Sequence, residues 1–410
     1  MPSFTSHISF LLLMLLCAVT FHRIICCHDR DRTLLLIFKQ GIADPSGRLS
    51  SWSPTHQDCC SWLGVTCTLN TSRVQYLYLN NIKKNGSESL KGEINLSSLL
   101  ALEFLEELDL RYNDFERIST PSINSSVVGH SHLPANFSLL HRLDLSHNKH
   151  NLHVDNLHWL SRFPSLVYLD LSRIHLPSET NWVQTLASLP LGELHLQDCN
   201  LTSSILSVGD ANFSSVLSLG LSLNDFRFGI PNWLFNLSTD LYDLYLSQCN
   251  LRGQIPDFSG YQNLEILDLS GNKLKGPIPD WLGQHDPLNV LDIGFNDLSG
   301  TLSKNLGEHA FKLLDLSHNS ITGDISNMFL NNGAILMSFN KFKGQLPRVS
   351  EGVVALDLAF NAFSGSLSSL VCHTEANQNP LKYLDLTNNF LAEVLPEIVG
   401  PIGHCCLIYT

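Results

Sequence analysis

The sequence has few charged residues, and basic ones are the scarcer kind. Charged side chains make up 15% of the 410 residues, with 25 Lys and Arg against 38 Asp and Glu and a formal net charge of −13. Proteins that bind nucleic acid neutralise its phosphates with a basic patch, so this balance argues against that class. Hydrophobic residues reach 44%, which excludes a chain too polar to fold.

The motifs of common enzyme and metal sites are also missing. The sequence contains no G-x-G-x-x-G or Walker loop, no G-x-S-x-G turn, no H-E-x-x-H helix and no C-x-x-C pair. These motifs carry dinucleotide, phosphate, acyl-transfer and zinc chemistry. We therefore expect a protein that binds rather than catalyses, with no cofactor and no metal.

A largely apolar run near the N-terminus indicates entry into the secretory pathway. It covers residues 8–19, whereas a bilayer span needs about 20 residues, so we interpret residues 1–26 as a signal peptide. We expect no later segment to span a membrane. The 11 cysteines of a secreted chain predict disulfides. Sequons for N-glycosylation agree with secretion and occur at Asn70, Asn85, Asn95, Asn124, Asn136, Asn200, Asn212 and Asn236.

The pattern L-x-x-L-x-L-x-x-N recurs along most of the chain. A clear copy is Leu264-Leu267-Leu269-Asn272. The position of the Asn falls at residues 82, 113, 148, 174, 199, 224, 249, 272, 296, 319, 340, 361 and 389. Successive copies lie about 24 residues apart, within the range of leucine-rich repeats, about 20–29. We predict an α/β solenoid, a right-handed leucine-rich-repeat superhelix with a parallel concave β-sheet in which each L-x-L forms a short strand.

Two cysteines, Cys199 and Cys249, take the Asn position of the repeat. They lie two coils apart, so at about 4.8 Å per strand the expected separation is about 10 Å. A disulfide needs Cα atoms within about 7 Å. We predict that both are buried free thiols.

The residues before the repeats carry the most specific motif. Residues 59–67 read C-C-S-W-L-G-V-T-C, and this segment resembles the N-terminal cap of plant extracellular leucine-rich-repeat proteins. The stretch 154–160, V-D-N-L-H-W-L, is similar to receptor-like proteins of the ethylene-inducing-xylanase-receptor group. The resemblance implies a Cys-stapled cap in which Cys27 pairs with Cys59 and Cys60 with Cys67.

The same resemblance implies a function. Proteins of this group are plasma-membrane ectodomains of plant defence or development that bind an extracellular peptide, protein or glycan and signal through co-receptor and adaptor receptor kinases. A second interpretation is a secreted inhibitor of microbial cell-wall-degrading enzymes, similar to polygalacturonase inhibitors, and a third is a non-functional fragment. We expect an extracellular location, at the plasma membrane if the full-length protein carries a membrane span.

We expect four segments along the chain. These are a signal peptide (1–26), the N-terminal cap (27–73), about 13 leucine-rich repeats (74–395) and an atypical C-terminal tail (396–410). The family would continue into more repeats, a C-terminal cap and a membrane span. We interpret the difference as a truncated gene model or, alternatively, as a short secreted form.

Recognition in such a solenoid uses the concave face. The position between the two strand leucines is Asp in eight units, namely Asp109, Asp144, Asp170, Asp268, Asp292, Asp315, Asp357 and Asp385. These aspartates form either an acidic ladder that selects basic ligands or a repeat-consensus feature that keeps the surface soluble. In three consecutive repeats the position is not Asp but His195, Gly220 and Tyr245. These exceptions reflect either drift of the repeat sequence or a recognition patch. As candidate ligand-binding residues we select Tyr168, Glu193, His195, Gln197, Asp243 and Tyr245.

Overall fold

The computed structural model describes residues 27–81, 88–119, 139–148, 152, 154, 157–176, 182–202, 213–227, 232–331, 333–367 and 381–392. The predicted signal peptide and tail, and the sequon residues Asn85, Asn124, Asn136 and Asn212, lie outside these ranges. The chain divides into two compact units, residues 1–140 and residues 141–410, which we describe in turn.

The first unit contains the cap and the first coils. Its elements are α1 (Asp29–Gln40), β1 (Ile42–Ala43), a 3-10 helix (Cys59–Ser61), β2 (Val65–Cys67), β3 (Val74–Tyr78), β4 (Lys91–Asn95), α2 (Leu96–Leu100), β5 (Glu107–Asp109) and β6 (Asp114–Ser119). Strand β2 runs antiparallel to β3, which pairs in parallel with β5. On the other side of the coil, β1 pairs antiparallel with β4, and β4 in parallel with β6.

Two disulfides and a buried ion pair hold the cap. Cys27 pairs with Cys59 and Cys60 with Cys67, with Cα atoms 5.1 and 5.5 Å apart, so the predicted pairings are confirmed. Asp31, fully buried in α1, accepts two hydrogen bonds from the Arg73 guanidinium at 2.9 and 3.0 Å. Its carboxylate also accepts from the N–H at the start of β3, so α1 is fixed to the first strand of the repeats.

The second unit is built around one parallel main sheet with a strand from each coil. Its strands are β7 (Arg142–Asp144), β8 (Tyr168–Asp170), β9 (Glu193–His195), β10 (Ser218–Gly220), β11 (Asp243–Tyr245), β13 (Ile266–Asp268), β15 (Val290–Asp292), β17 (Leu313–Asp315), β20 (Ala334–Leu336), β23 (Ala355–Asp357) and β25 (Tyr383–Asp385). The central residue of most of these strands is a fully buried leucine, such as Leu244 and Leu267. The strands stack because each coil buries its leucines only against its neighbours. The predicted leucine-rich-repeat fold is confirmed.

Shorter elements complete the coils of this unit. The remaining strands are β12 (Arg252–Gly253), β14 (Lys273–Gly276), β16 (Asp297–Leu298), β18 (Thr322–Asp324), β19 (Phe329–Leu330), β21 (Lys341–Gly344), β22 (Arg348–Val349), β24 (Ala362–Gly365) and β26 (Phe390–Leu391). The helices are α3 (Trp182–Ala187) and α4 (Lys304–Glu308), with 3-10 helices at His158–Arg162, Asn232–Asn236 and Asp280–Gly283. Among the described residues, no helix has the length and apolar character needed to cross a bilayer.

The repeat asparagines join neighbouring coils by hydrogen bonds. Asn272 donates to the carbonyls of Leu246 and Leu269 at 2.8 and 2.9 Å, and its Oδ1 accepts from the N–H groups of Cys249 and Leu251. A side-chain amide suits this position because it donates and accepts at once. The asparagine therefore satisfies backbone groups of two coils that would otherwise be buried without partners.

The cysteines in the Asn position reproduce only the donor half of this arrangement. The thiols of Cys199 and Cys249 lie 3.2 Å from the carbonyls of Leu171 and Leu221 in the preceding coil. Both are buried and free, as predicted. Burial raises the pKa of both thiols, that of Cys249 to about 12, so they stay protonated and can donate.

Four aromatic rings stack along the surface of the second unit, each one residue before a repeat Asn. This aromatic ladder consists of Phe295, His318, Phe339 and Phe360. Successive ring centroids lie 4.0, 4.2 and 4.0 Å apart, with planes within 15° of parallel. All four residues have a left-handed backbone, with φ of 52–55°, which projects the rings outward in register.

Candidate ligand-binding site

The register of β8–β11 places the six candidate residues on three rows across the main sheet. Tyr168, Glu193 and Asp243 share one row with Ser218 between the last two. His195 and Tyr245 share the next row, on either side of Gly220. Gln197 follows β9 in the third row. We call this surface, Tyr168 to Tyr245, the recognition face.

Tyr168 is held between a cation and an imidazole. The Arg142 guanidinium lies 3.4 Å from the centroid of the Tyr168 ring, and the His195 ring lies 5.8 Å away on the neighbouring strand. Burial raises the pKa of the Tyr168 phenol, and the carboxylates of Asp170 and Asp144 add to the rise. The hydroxyl therefore stays protonated and is available as a donor.

Gly220 lets two of the candidate side chains lie flat on the sheet. A Cβ at this position would clash with the side-chain amide of Gln197 and lie 2.8 Å from Nδ1 of His195. Gln197 also accepts a hydrogen bond from the Ser172 hydroxyl, and His195 lies 3.9 Å from the Glu193 carboxylate. Glycine at this position thus leaves the space that the side chains of His195 and Gln197 occupy.

The far side of the recognition face is acidic and aromatic. Burial raises the pKa of Asp243, Glu265 and Glu193 raise it further, and the Ser218 hydrogen bond and His195 oppose the rise. Burial also raises the pKa of Tyr245, helped by the neighbouring Asp243. Within the part of the chain that the structure describes, no Lys or Arg forms an ion pair with Asp243 or Glu265. This side can therefore accept a cationic group from outside.

The aspartates of the main-sheet position have a structural role. Each of the eight accepts a hydrogen bond from the backbone N–H two residues further on, at 2.8–3.1 Å. Aspartate commonly closes such a turn with its own side chain. The geometry therefore favours the repeat-consensus interpretation over an acidic ladder selected for ligands.

Serine hydroxyls replace two of these carboxylates where the position is not Asp. The N–H of Gln197, two residues after His195, donates to the Ser172 hydroxyl at 3.3 Å. The N–H of Ser247, two residues after Tyr245, donates to the Ser222 hydroxyl at 3.1 Å. Both serines belong to the preceding coil. His195 and Tyr245 are therefore free to present other chemistry to solvent.

Sequence reasoning missed three contributors to this surface, namely Arg142, Tyr242 and Glu265. Arg142 lies in the same row as Tyr168, one coil earlier, so aligning the repeats in columns would have revealed it. Tyr242 and Glu265 immediately follow the first leucine of their repeats, a position outside the L-x-L strand that the repeat pattern assigns to the face.

Four predicted sequons fall within the described residues. Asn70, Asn200 and Asn236 are exposed. Asn95 instead precedes α2, where its Oδ1 accepts from the N–H of Ser98 at 3.3 Å. The cap cysteines Cys27, Cys59 and Cys60 lie close enough to suggest a metal site, but all three are in disulfides and offer no thiolate.

Comparisons with known proteins agree with this architecture. The family described as "Leucine rich repeat N-terminal domain" matches residues 28–68, and "Leucine Rich Repeat" matches residues 263–285 and 311–332. The structure is similar to that of the Arabidopsis receptor kinase HAESA in complex with the peptide hormone IDA and the co-receptor SERK1. The TM-score is 0.68 at 28% identity, covering 89% of this chain and 58% of that one. The chain therefore has a leucine-rich-repeat fold, and its N-terminal cap matches the model of this cap family over residues 28–68.

Two curated relatives are receptor-like proteins, a narrower group among leucine-rich-repeat proteins. Receptor-like protein EIX1 of Solanum lycopersicum is 36% identical over 280 residues, covering 61% of this chain and 27% of the relative. Receptor-like protein EIX2 of the same species is 31% identical over 330 residues, covering 74% and 32%. The predicted resemblance to this receptor-like group is confirmed. The chain spans about a third or less of the length of these relatives.

Proposed function

We propose that the chain is an extracellular ligand-recognition module of a plant receptor-like protein and that it binds a peptide on the recognition face. The relatives support a receptor role, and HAESA is described in complex with a peptide hormone and a co-receptor. By that similarity we expect a peptide ligand and a co-receptor kinase as partners. The role requires binding and no catalysis.

The main support for this proposal is the contact of the Arg142 guanidinium with the Tyr168 ring. It supports a guanidinium as the kind of group that this surface can bind, because the row that contains Tyr168 also contains Glu193. Tyr245, beside Asp243, offers the same combination of ring and carboxylate with no cation paired to it among the described residues. A guanidinium stacks on aromatic rings and pairs with carboxylates. We infer that the peptide supplies a basic side chain here.

A display selection with the purified full chain tests this function. Peptides selected from a random library are titrated against Tyr168→Ala and Tyr245→Ala, with Tyr383→Ala as matched control because Tyr383 is an exposed tyrosine of the distant strand β25. A residue central to binding costs more than about 1 kcal/mol when truncated. We expect the first two variants to weaken binding by about fivefold or more and the control to leave it unchanged.

The charge of the ligand is tested in the same experiment with Asp243→Asn and the exposed Asp297→Asn, which change net charge equally. Weaker binding only in Asp243→Asn supports a seated basic group, and an equal effect indicates bulk attraction to a chain of net charge −13. Selected peptides that ignore Tyr168 and Tyr245 overturn the proposed site. Inhibition of a fungal polygalacturonase by the purified chain would favour the inhibitor interpretation instead.

A further inference from the structure

A surface cavity beside the recognition face contains a sequon asparagine. The cavity has a volume of about 220 Å³ and is lined by Arg173, His175, Asp198, Asn200 and Leu223. These residues follow strands β8, β9 and β10 at the same end of the main sheet. Pockets for drug-sized ligands are larger, about 300–1,000 Å³, so this cavity suits a group the size of one sugar ring.

The Asn200 amide is free to be modified. Its counterpart Asn250, two coils further on, donates from Nδ2 to the Asp225 carboxylate at 3.1 Å. Asn200 has no such acceptor, because His175 stands where Asp225 would be, and among the described residues its side chain forms no hydrogen bond. Only Asn200 of this pair starts a sequon, Asn200-Leu201-Thr202.

The lining has the chemistry of a sugar site. Arg173 and Asp198 are half exposed and form only a loose ion pair, with N and O atoms 3.8 Å apart, so their remaining donors and acceptors can meet hydroxyl and acetamido groups. Leu223 exposes 43% of its surface and offers an apolar platform for the C–H face of the ring. A lining that combines polar groups with an apolar side chain can bind both the hydroxyl groups and the C–H face of such a ring.

We propose that the first N-acetylglucosamine of a glycan on Asn200 is seated in this cavity, packed on Leu223 and hydrogen-bonded to Arg173 and Asp198. The glycan then borders the recognition face, since Asp198 directly follows Gln197. Its anchored first sugar would restrict the direction of the remaining chain at the ends of β8, β9 and β10. The proposal does not depend on what the face binds.

The test measures release of the glycan from the full chain secreted by plant cells, with glycopeptide mass spectrometry to read each sequon separately. A seated sugar is cleaved by peptide N-glycosidase only when it opens, so the rate follows the open population. We expect release from Asn200 to be at least about tenfold slower than from the exposed Asn70 in the folded protein, and equally fast after denaturation.

Variants of the lining separate a seated sugar from slow access to the sequon. We expect Arg173→Ala to accelerate release from Asn200 several-fold and Arg252→Ala, an exposed arginine on β12, to have no effect. Leu223→Ala, which leaves the Arg173–Asp198 pair in place, provides a second variant with the same expected direction. An unmodified Asn200, release as fast as from Asn70, or rates unchanged by both lining variants would overturn the proposal.

Discussion

At the scale of single residues, the main-sheet aspartates show how one side chain serves the fold while standing on a potential binding surface. Each closes the end of its strand, yet in β13, β15 and β17 three of them lie side by side. The negative charge of the central one, Asp292, is disfavoured most strongly. Burial, together with the neighbouring carboxylates of Asp315 and Asp268, raises its pKa to about 7.

The raised pKa of Asp292 predicts that the free energy of unfolding depends on pH. An unfolded Asp has a pKa of about 3.9, so between about pH 4 and pH 7 the folded state binds more protons and the free energy of unfolding falls as pH rises. Asp292→Asn keeps the oxygen that accepts from the Gly294 N–H and removes the charge. We expect it to be more stable than the wild type by about 1–2 kcal/mol at pH 8, allowing for solvent screening, and equal to it at pH 4.

Urea unfolding at both pH values measures this difference, with the exposed Asp297→Asn as control for net charge. A gain at pH 8 that persists undiminished at pH 4 would contradict the assignment, because a protonated Asp292 already lacks the charge.

At the scale of elements, the aromatic ladder joins four coils outside the leucine core. Its three phenylalanines are exposed, Phe339 by 42%, and His318 is half-buried, so contact between the rings adds to what their partial burial contributes. Aromatic pairs contribute about 0.5–1.5 kcal/mol beyond their buried area. Phe339 makes two such contacts, with His318 and Phe360.

We predict that Phe339→Ala lowers the free energy of unfolding by about 1–3 kcal/mol. Phe329→Ala is the matched control, because Phe329 is also 42% exposed and stacks on no ring among the described residues. Thermal unfolding of the two variants measures this difference. An equal loss in the free energy of unfolding in both would show that ring stacking adds nothing beyond ordinary burial.

At the scale of the whole chain, stability depends on contacts between neighbouring coils, since a coil cannot bury its leucines alone. Asn272 tests this arrangement because its amide serves two coils through four hydrogen bonds of 2.8–3.0 Å. Asn272→Ala leaves at least three buried backbone groups without partners, at about 1–3 kcal/mol each.

We therefore expect Asn272→Ala to destabilise the second unit by about 3 kcal/mol or more. Hydrogen exchange of backbone amides should accelerate in β11, β13 and β15 and change little in β23 and β25. Asn263→Ala removes an exposed amide from the same region and serves as the control. Uniform acceleration across the unit would argue against coupling between nearest neighbours.

The regular parts of this architecture were predictable because their signal is periodic. The L-x-L strands and the buried thiols follow from the spacing of the repeat, and the cap disulfides follow from the resemblance of the cap to that of plant leucine-rich-repeat proteins. The placement of Arg142 on Tyr168, and of Gln197 over Gly220, was not predictable in the same way. Such contacts depend on the side-chain rotamers of two neighbouring coils, whose equivalent strand positions are 25 or 26 residues apart in the sequence. No single repeat therefore encodes them.

The serine hydroxyls that replace Asp at two strand ends allow the neighbouring strand residues to vary. Ser172 and Ser222 close the turn of the following coil, so the residue on that coil's strand can change without leaving a backbone N–H unsatisfied. Serines stand at the same point before Asp170, Asp268, Asp292 and Asp357, namely Ser146, Ser247, Ser270 and Ser338. These aspartates are therefore the positions where randomised side chains could be introduced to give the scaffold new binding specificities while its coils stay intact.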